Sequence, residues 1–368
     1  MRPKTVPFVD AFRDVSGGNS KVLKSEVLET GRLPVVDQGQ DLVVGYTDDE
    51  TRQCNVDPPV VVFGDHTRAI KYIDFPFAMG ADGTKVLKTF DGVDPKYAFY
   101  ALSALEIPSA GYSRHFKFLK RTEIPLPPLA EQKRIARILD QAGALHAKRR
   151  ETIKQLDALV QSVFLDMFGD PVTNPKGWDV VEVRNEIEFL TSGSRGWAKY
   201  YADWGATFIR IQNLRNGRLD LSDRQCVSAP ESAEARRTAV VPGDVLVSIT
   251  ADLGRTAVVP ADIGKAHINQ HLAILRFKKI NPTFASLFLS SPGGQTQFQR
   301  LNRAGVKAGL NFDDLKRLHL LVPPEDMQVE FENRVATIED HKRRLADHDT
   351  TLIDLFASLQ SRAFKGEL

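Results

Sequence analysis

Several stretches come close to catalytic motifs and miss. Asp57-Pro58-Pro59-Val60 is one residue away from the (Asp/Asn)-Pro-Pro-(Tyr/Phe) motif of adenine-N6 methyltransferases. That motif needs an aromatic ring to stack on an extruded base, and valine has none. No glycine-rich cofactor loop precedes it, so a turn leading into a strand is the better reading. Gly80–Lys85, GADGTK, lacks the four-residue spacing of a phosphate loop. Asp314-Leu315-Lys316 has the form of a nuclease Asp-x-Lys. It abuts a proline-led helix, however, and the position matching Asp314 in the repeat described below is Phe118. The eight histidines show no metal-ligand spacing, and His267 with His271 has no third partner, which makes both loop or surface residues.

What remains is a set of basic, amide and aromatic clusters. The first half carries Gln38, Gln40 and Tyr46, then HTRAIK from His66, then SRHFK from Ser113. The second half carries SGSRGWAKYY from Ser192, QNLRNGR from Gln212, LGR ending at Arg255, and RAGVKAGLN from Arg303. Arginine and lysine bind phosphates or guanine edges, and glutamine and asparagine can read adenine. Aromatic rings among them can pack on sugars or bases. A solvated loop has the same composition, so no single cluster decides. Their recurrence in a duplicated frame without a catalytic constellation favours recognition. The expected DNA-binding set is Gln38, Tyr46, Arg68, Arg114, Lys117, Arg195, Lys199, Tyr200, Asn213, Arg215, Arg255 and Lys307.

The 368-residue chain is 42% hydrophobic and 26% charged, as ordinary globular proteins are, and its length suggests two or three domains. MRPKTVPFVDAF has no apolar signal core, and no apolar run is long enough to span a bilayer. Two distant cysteines, Cys54 and Cys226, suit a reducing cytoplasm. A net charge of +2 is too weak a field to attract nucleic acid by itself, so binding must come from local patches.

The elements that must position these clusters are repeated. Pro127-Pro128 and Pro323-Pro324 each lead into a long charged helix, 196 residues apart. At that offset Phe116 falls on Phe312, Leu119 on Leu315, Leu156 on Leu352 and Phe168 on Phe364. Upstream the offset shrinks to 187 for DPKYAFYAL and NPTFASLFL, and to 176 for VSGG and TSGS. Proline suits a helix start because its φ is preset and no amide hydrogen is needed there. The first helix shows a heptad seam at Ile135, Ile138, Ala142, Leu145, Ile153, Leu156, Val160, Val163 and Met167. The second shows Phe331, Val335, Ile338, Leu345, Leu352, Phe356 and Leu359. Arg149 interrupts one seam; Lys342 and Asp349 interrupt the other. About 36 residues each gives rods of roughly 55 Å. Pairing of the two, antiparallel, is expected; two helices each folded on its own domain is the alternative. The basic runs Lys148–Arg150 and Lys342–Arg344 fall near the helix middles and read as solvated faces.

DPPVVVFG, GDVLVSIT and ATFIRIQN read as strands, and KYAFYALSAL and TFASLFLSS as helices. The expected fold is mixed α/β: two globular domains, 1–124 and 171–320, separated by two long antiparallel helices, 125–170 and 321–368, that form a coiled-coil spacer in a pseudo-twofold internal repeat.

IPLPPLAEQKRIARILD, its partner LVPPEDMQVEFENRV and the ending LFASLQSRAFKGEL resemble specificity subunits of type I restriction–modification systems. The two-copy layout extends that resemblance over the whole chain. It implies that each domain is a target-recognition domain reading one half of a split, asymmetric site in double-stranded DNA. It implies that the helices dock two methyltransferase subunits, with Leu129, Gln132, Lys133 and Arg134 as docking residues, and that motor-nuclease subunits complete the complex. S-adenosylmethionine, ATP and magnesium would then belong to the partners. This chain would catalyse nothing, bind no cofactor or metal and lie in the cytoplasm, away from membranes. PPEDMQVEF departs from the Leu-Ala-Glu-Gln-Lys-Arg of the first helix start, which implies different contacts for the second methyltransferase. A coiled-coil adaptor that reads no DNA, and a solitary DNA-cleaving enzyme, are the alternatives.

Overall fold

The run Val60–Gly64 has every residue buried, because it is a central strand with neighbours on both edges and packing on both faces. The computed structural model to which it belongs describes residues 4–108, 114–215, 217–302 and 309–368. Packing divides the chain into two units, Met1–Glu151 with Leu345–Leu368, and Thr152–Arg344.

In the first unit the strands are β1 (Thr5–Pro7), β2 (Phe12–Asp14), β3 (Lys21–Val22), β4 (Leu33–Val36), β5 (Gly45–Thr47), β6 (Val60–Gly64), β7 (Ile70–Ile73), β8 (Ala78–Gly80), β9 (Thr84–Thr89) and β10 (Glu123–Pro125). They form two four-stranded sheets, ordered β2-β9-β6-β7 and β3-β8-β4-β5, and a β1–β10 pair. The helices are α1 (Phe8–Ala11), α2 (Pro95–Ser103), α3 (Phe116–Leu119) and the start of α4 (Leu129–Phe168). DPPV is the approach to β6, and Val60 is buried in that strand, where no extruded base can reach it.

The second unit has β11 (Asp179–Glu182), β12 (Ile187–Ser192), β13 (Tyr201–Ala202), β14 (Ala206–Ile209), β15 (Leu214–Arg215), β16 (Gly217–Leu219), β17 (Gln225–Val227), β18 (Val245–Ser248), β19 (Thr256–Val258), β20 (Ala266–Ile268), β21 (Leu272–Phe277) and β22 (His319–Val322). Its helices are α5 (Val183–Glu186), α6 (Ala233–Thr238), α7 (Pro282–Ser290), α8 (Pro292–Leu301), α9 (Phe312–Lys316) and α10 (Glu325–Lys365). The sheet β12-β21-β18-β19 has the order of β2-β9-β6-β7 and is extended by β16 and β15. Likewise β14 lies parallel to β20 and antiparallel to β17, as β4 lies parallel to β8 and antiparallel to β5. Asp314 caps α9: its carboxylate accepts the Asn311 amide and its own amide donates to Asn311. The Asp314 carboxylate thus serves to cap the helix start.

α2 and α7 each begin with proline behind a capping Asp94 or Asn281, whose side chain accepts an amide of the first turn. The two helices after the proline pairs span 40 and 41 residues, a little longer than the seams suggest. Within the first unit α4 buries Ile135, Ala136 and Leu139 in a core that includes Ala363, with Phe356, Leu359 and Phe364 packed on it. Within the second, Val160, Phe164, Met167 and Phe168 share a core with Phe331, Val335 and Ile338. In each unit the contacting stretches of α4 and α10 thus run in opposite directions. Leu145 departs from the expected seam at 58% exposed, while Leu139, Phe164 and Phe168, outside it, are buried. Lys342 is buried and donates to Asp157 and Glu339, so only the arginines of its run are solvated. Asp349 faces His146 at 3.3 Å. Among the described residues no helix is long and apolar enough to cross a membrane.

Candidate nucleic-acid interface

In the first unit three turns meet at one end of the sheets. They are the loop after β4, the β6–β7 turn and the β8–β9 turn. Gln38 joins them: its Oε1 accepts the His66 amide at 3.1 Å, and its carbonyl accepts the Thr67 hydroxyl. The Asp65 amide donates to the Gly83 carbonyl at 2.7 Å. The approach is close enough to require glycine. A Cβ on Gly64 would lie 2.2 Å from Thr67 Oγ1 and 2.6 Å from the Gln38 carbonyl. Asp65, buried, also anchors α3. Its Oδ1 accepts the Phe116 amide at 2.7 Å and its carbonyl the His115 amide at 2.8 Å. GADGTK is therefore the turn that carries the chain from β8 in one sheet to β9 in the other, and two sequence clusters far apart in the chain become neighbours. Gln38, Arg68, Arg114 and Lys117 gather there, with Arg114 and Lys117 exposed.

Not every basic group at this end is available. Lys71 is buried and donates to the Asp37 carbonyl at 2.8 Å. Burial pulls its pKa down, and the Asp37 carboxylate opposes that. Arg68 has φ +62° and donates to the Ile107 carbonyl at 2.9 Å, which fixes its direction. Tyr46 sits within β5 opposite Pro34, outside this group.

In the second unit the loop after β12, the β18–β19 turn and the β20–β21 turn meet in the same way. Gly193 and Ile249 donate to the carbonyls of Leu272 and His271. A Cβ on Gly193 would lie 2.0 Å from the Asn269 carbonyl. Arg237 of α6 holds this loop from behind. It donates to Thr191 Oγ1, to the Ser192 carbonyl and, at 2.7 Å, to Ser194 Oγ. Trp197 is buried between Phe208 and His267, with ring centroids at 5.2 and 5.0 Å. Burial lowers the His267 pKa. His271 bonds Thr250 and Gln270 through its two ring nitrogens. His267 is thus buried in β20, not at the surface, while His271 lies half-buried in the β20–β21 turn as expected of a loop residue, and among the described residues no group of three or more metal-ligating side chains is placed to hold an ion.

This arrangement leaves Arg195 and Lys199 exposed, with the Lys199 ammonium 4.9 Å from the Tyr200 ring centre. Arg255 lies in the β18–β19 turn, paired with Asp252. β16 runs parallel to β19, so the β15–β16 turn with Arg215 opens at the strand end from which β19 starts; Arg215 pairs with Asp220 at 3.2 Å. Asn213 is different. It is buried, its Oδ1 accepts the Arg210 amide, and its Nδ2 donates to the carbonyls of Asp220 and Asp223. A side chain held so has no donor left for a base. Lys307 lies outside the described residues. Sequence reasoning missed Arg237, because a polar residue on a short helix carries no sign of the loop it braces.

At the start of α4, Leu129 and Lys133 are exposed. Arg134 is held by Glu131 at 2.8 Å and by the Leu368 carbonyl at 2.9 Å. Gln132, expected on the same docking surface, is buried. Its Oε1 accepts the Asp94 amide, and its Nε2 donates to the carbonyls of Gly92 and Pro127. Gln328 does the same in the second unit, accepting the Asn281 amide and donating to Pro323. These glutamines clamp a proline joint to the start of α2 or α7.

Residues 13–155 match the family model for the type I restriction modification DNA specificity domain. The EcoBI specificity subunit of Escherichia coli is 28% identical over 286 residues, 68% of this chain and 59% of that subunit. The EcoR124I/EcoR124II specificity subunit of Escherichia coli is 30% identical over 204 residues, 52% of this chain and 47% of that subunit. The chain thus spans about half to three fifths of these relatives. Two solved structures share the fold over 99% of this chain. The S subunit of a type I restriction-modification system from M. genitalium has a TM-score of 0.59 at 14% identity and is covered over 99% of its length. A chain from a study of assembly and conformational transition of the type I R-M system has a TM-score of 0.55 at 18% identity and is covered over 98%. The chain resembles type I specificity subunits in sequence and in fold.

Proposed function

We propose that this chain is the DNA-reading, non-catalytic subunit of a type I restriction–modification assembly in the cytoplasm. The observation that carries the reading is the match of residues 13–155 to the DNA specificity domain. The second unit supports it by repeating the order β2-β9-β6-β7 as β12-β21-β18-β19 around its own cluster of turns. Each unit reads one half of a split site in double-stranded DNA. The protein is an internal repeat with recognition domains at 1–124 and 171–320, and α4 and α10 form the coiled-coil spacer between them.

The reading residues we assign are the exposed Arg114 and Lys117 in the first unit and Arg195 and Lys199 in the second, with Tyr200, half-buried against Trp197, beside them. Arg68, Arg215 and Arg255 are already hydrogen-bonded, which favours fixed contacts to phosphate. Gln38 joins the turns of the first cluster, and Tyr46 on β5 and Lys307 complete the proposed DNA-binding set. Methyltransferase subunits dock at Leu129, Lys133 and Arg134, with Gln132 shaping the helix start from inside. S-adenosylmethionine, ATP and magnesium act on the methyltransferase and motor-nuclease partners.

The test is the methylome of cells that express this chain with a methyltransferase subunit. N6-methyladenine in a split, asymmetric motif is expected, and purified chain alone should neither methylate nor cleave DNA. Methyl transfer by the isolated chain, or a methylome unchanged by its expression, would overturn the proposal.

A further inference from the structure

The second unit contains a cavity of about 670 Å³ beside α4, floored by Val160, Phe164, Val258, Thr283, Leu287 and Val335. That volume lies within the range of small-molecule sites, about 300–1,000 Å³. The first unit explains why the space is empty, because there the chain fills it. Tyr72 pairs with Val61 on β6 as Val258 pairs with Val245 on β18. Tyr100 holds the sixth position of α2, and Leu287 the sixth of α7. Phe356 and Val160 correspond at the 196-residue offset. Three rings in one unit are thus replaced by valine, leucine and valine in the other. In the first unit these three rings are joined through a fourth, Phe99, whose counterpart on α7 is Ser286: Tyr72 to Phe99 at 6.1 Å, Phe99 to Tyr100 at 4.9 Å and Tyr100 to Phe356 at 6.1 Å.

A cation accompanies the rings. The Lys96 ammonium lies 3.9 Å from the Tyr72 ring centre and 3.3 Å from Asp140. The positions matching Lys96 and Asp140 in the second unit are Thr283 and Ala336, so the ammonium is missing along with the rings. The cavity carries its own acids instead: Asp157, Asp170 and Glu339, against Arg218. Lys342 is bonded to Asp157 and Glu339, and Arg218 to Glu339 at 2.6 Å. Three carboxylates against two cations leave an acidic wall beside an apolar floor.

We propose that this cavity is a binding site for a small aromatic amine. The rings of the ligand take the space that Tyr72, Tyr100 and Phe356 take in the first unit, and its ammonium lies against the acidic wall. A ring packed on the apolar floor regains the dispersion contacts its lining lacks, and the net charge disfavours an anion. The inference concerns the second unit alone and does not rest on DNA reading.

The probe is tyramine, with phenylacetate as its anionic counterpart, titrated calorimetrically into the full chain. Saturable one-to-one tyramine binding is expected with a Kd of about 1 mM or tighter, as suits so small a ligand, and phenylacetate should bind at least about tenfold more weakly. Leu287→Tyr and Val160→Phe, made singly, restore the first unit's rings and should each weaken tyramine at least about tenfold. Should both variants misfold, photolabelling of the unaltered chain with an azide-bearing tyramine must mark α4 or α7. No saturation up to about 10 mM, equal binding of phenylacetate, or undiminished binding by the folded variants would overturn the proposal. So would filled variants that raise Tm and lose assembly with a methyltransferase subunit while the unaltered chain ignores tyramine. The occupant would then be a partner's side chain.

Discussion

At the residue scale, chemically similar side chains have opposite roles. Asn213 and Arg195 both sit in polar, loop-like sequence. Asn213 is a buried hub joining the Arg210, Asp220 and Asp223 backbones, whereas Arg195 projects from a loop that Arg237 braces. Asn213→Ala takes the partner from the Arg210 amide and the Asp220 carbonyl, while the Asp223 carbonyl keeps the Arg210 guanidinium, and should cost about 1–3 kcal/mol of stability, read by chemical denaturation. Arg195→Ala should leave stability within about 0.5 kcal/mol and lower DNA affinity by about 1–3 kcal/mol at one base position. Competition binding against single-base target variants checks this; an Arg195→Ala protein with unchanged specificity would exclude a base contact. His267 gives the second unit a pH dependence. Burial against Trp197 holds its folded pKa below the ordinary 6.5, so between the two values the unfolded chain binds the additional proton. Stability should therefore fall as pH drops below about 6.5 and level off once pH passes the depressed folded value. Melting curves recorded from neutral pH to about pH 5 test it, and His267→Phe should flatten the slope.

At the element scale, the long helices combine an apolar seam with one buried charge. Lys342 is 3% exposed and held by Asp157 of α4 and Glu339 of α10, and Glu339 is also held by Arg218 of β16. Lys342→Met would leave two half-buried carboxylates facing each other without the ammonium between them. A loss of about 1–3 kcal/mol is expected. Arg343→Ala, at a side chain that is 72% exposed and pairs with Asp340, should change stability by less than about 0.5 kcal/mol. Equal effects of the two substitutions in urea denaturation would show that burial does not distinguish them. Gln132 and Gln328 belong to this scale too, since each ties the proline joint before a long helix to the start of a shorter one.

At the scale of the whole molecule, two units that share a four-strand and a three-strand order predict exchangeable readers. If the proposed function holds, replacing residues 171–320 with the corresponding segment of a type I specificity subunit should change one half of the methylated motif and leave the other intact. The chimera's methylome provides the measurement, and a change in both halves at once would mean that the units do not read independently. The exchange should be made at the joints near Gly169-Asp170 and before Pro323, because α4 ends at Phe168 and β22 at Val322, so that no element is cut.

The sequence by itself determined the duplicated plan. Proline pairs, heptad seams and the run Val60–Gly64 are set by local backbone geometry and hydrophobic period, which act over a few residues and can be read from them. The long helices, α2, α7 and three central strands were legible for that reason, and so was the absence of a base-stacking ring at Val60. Only the tertiary structure decided which polar side chains remain available. Gln132, Asn213, Lys71 and Lys342 look like surface residues in the sequence, yet each is buried because a backbone carbonyl, an amide or a carboxylate distant in the chain completes its bonds. The cavity beside α4 was hidden for the same reason. Three ring-to-aliphatic differences spread over β19, α7 and α4 become one space only when the sheet and both helices bring them together.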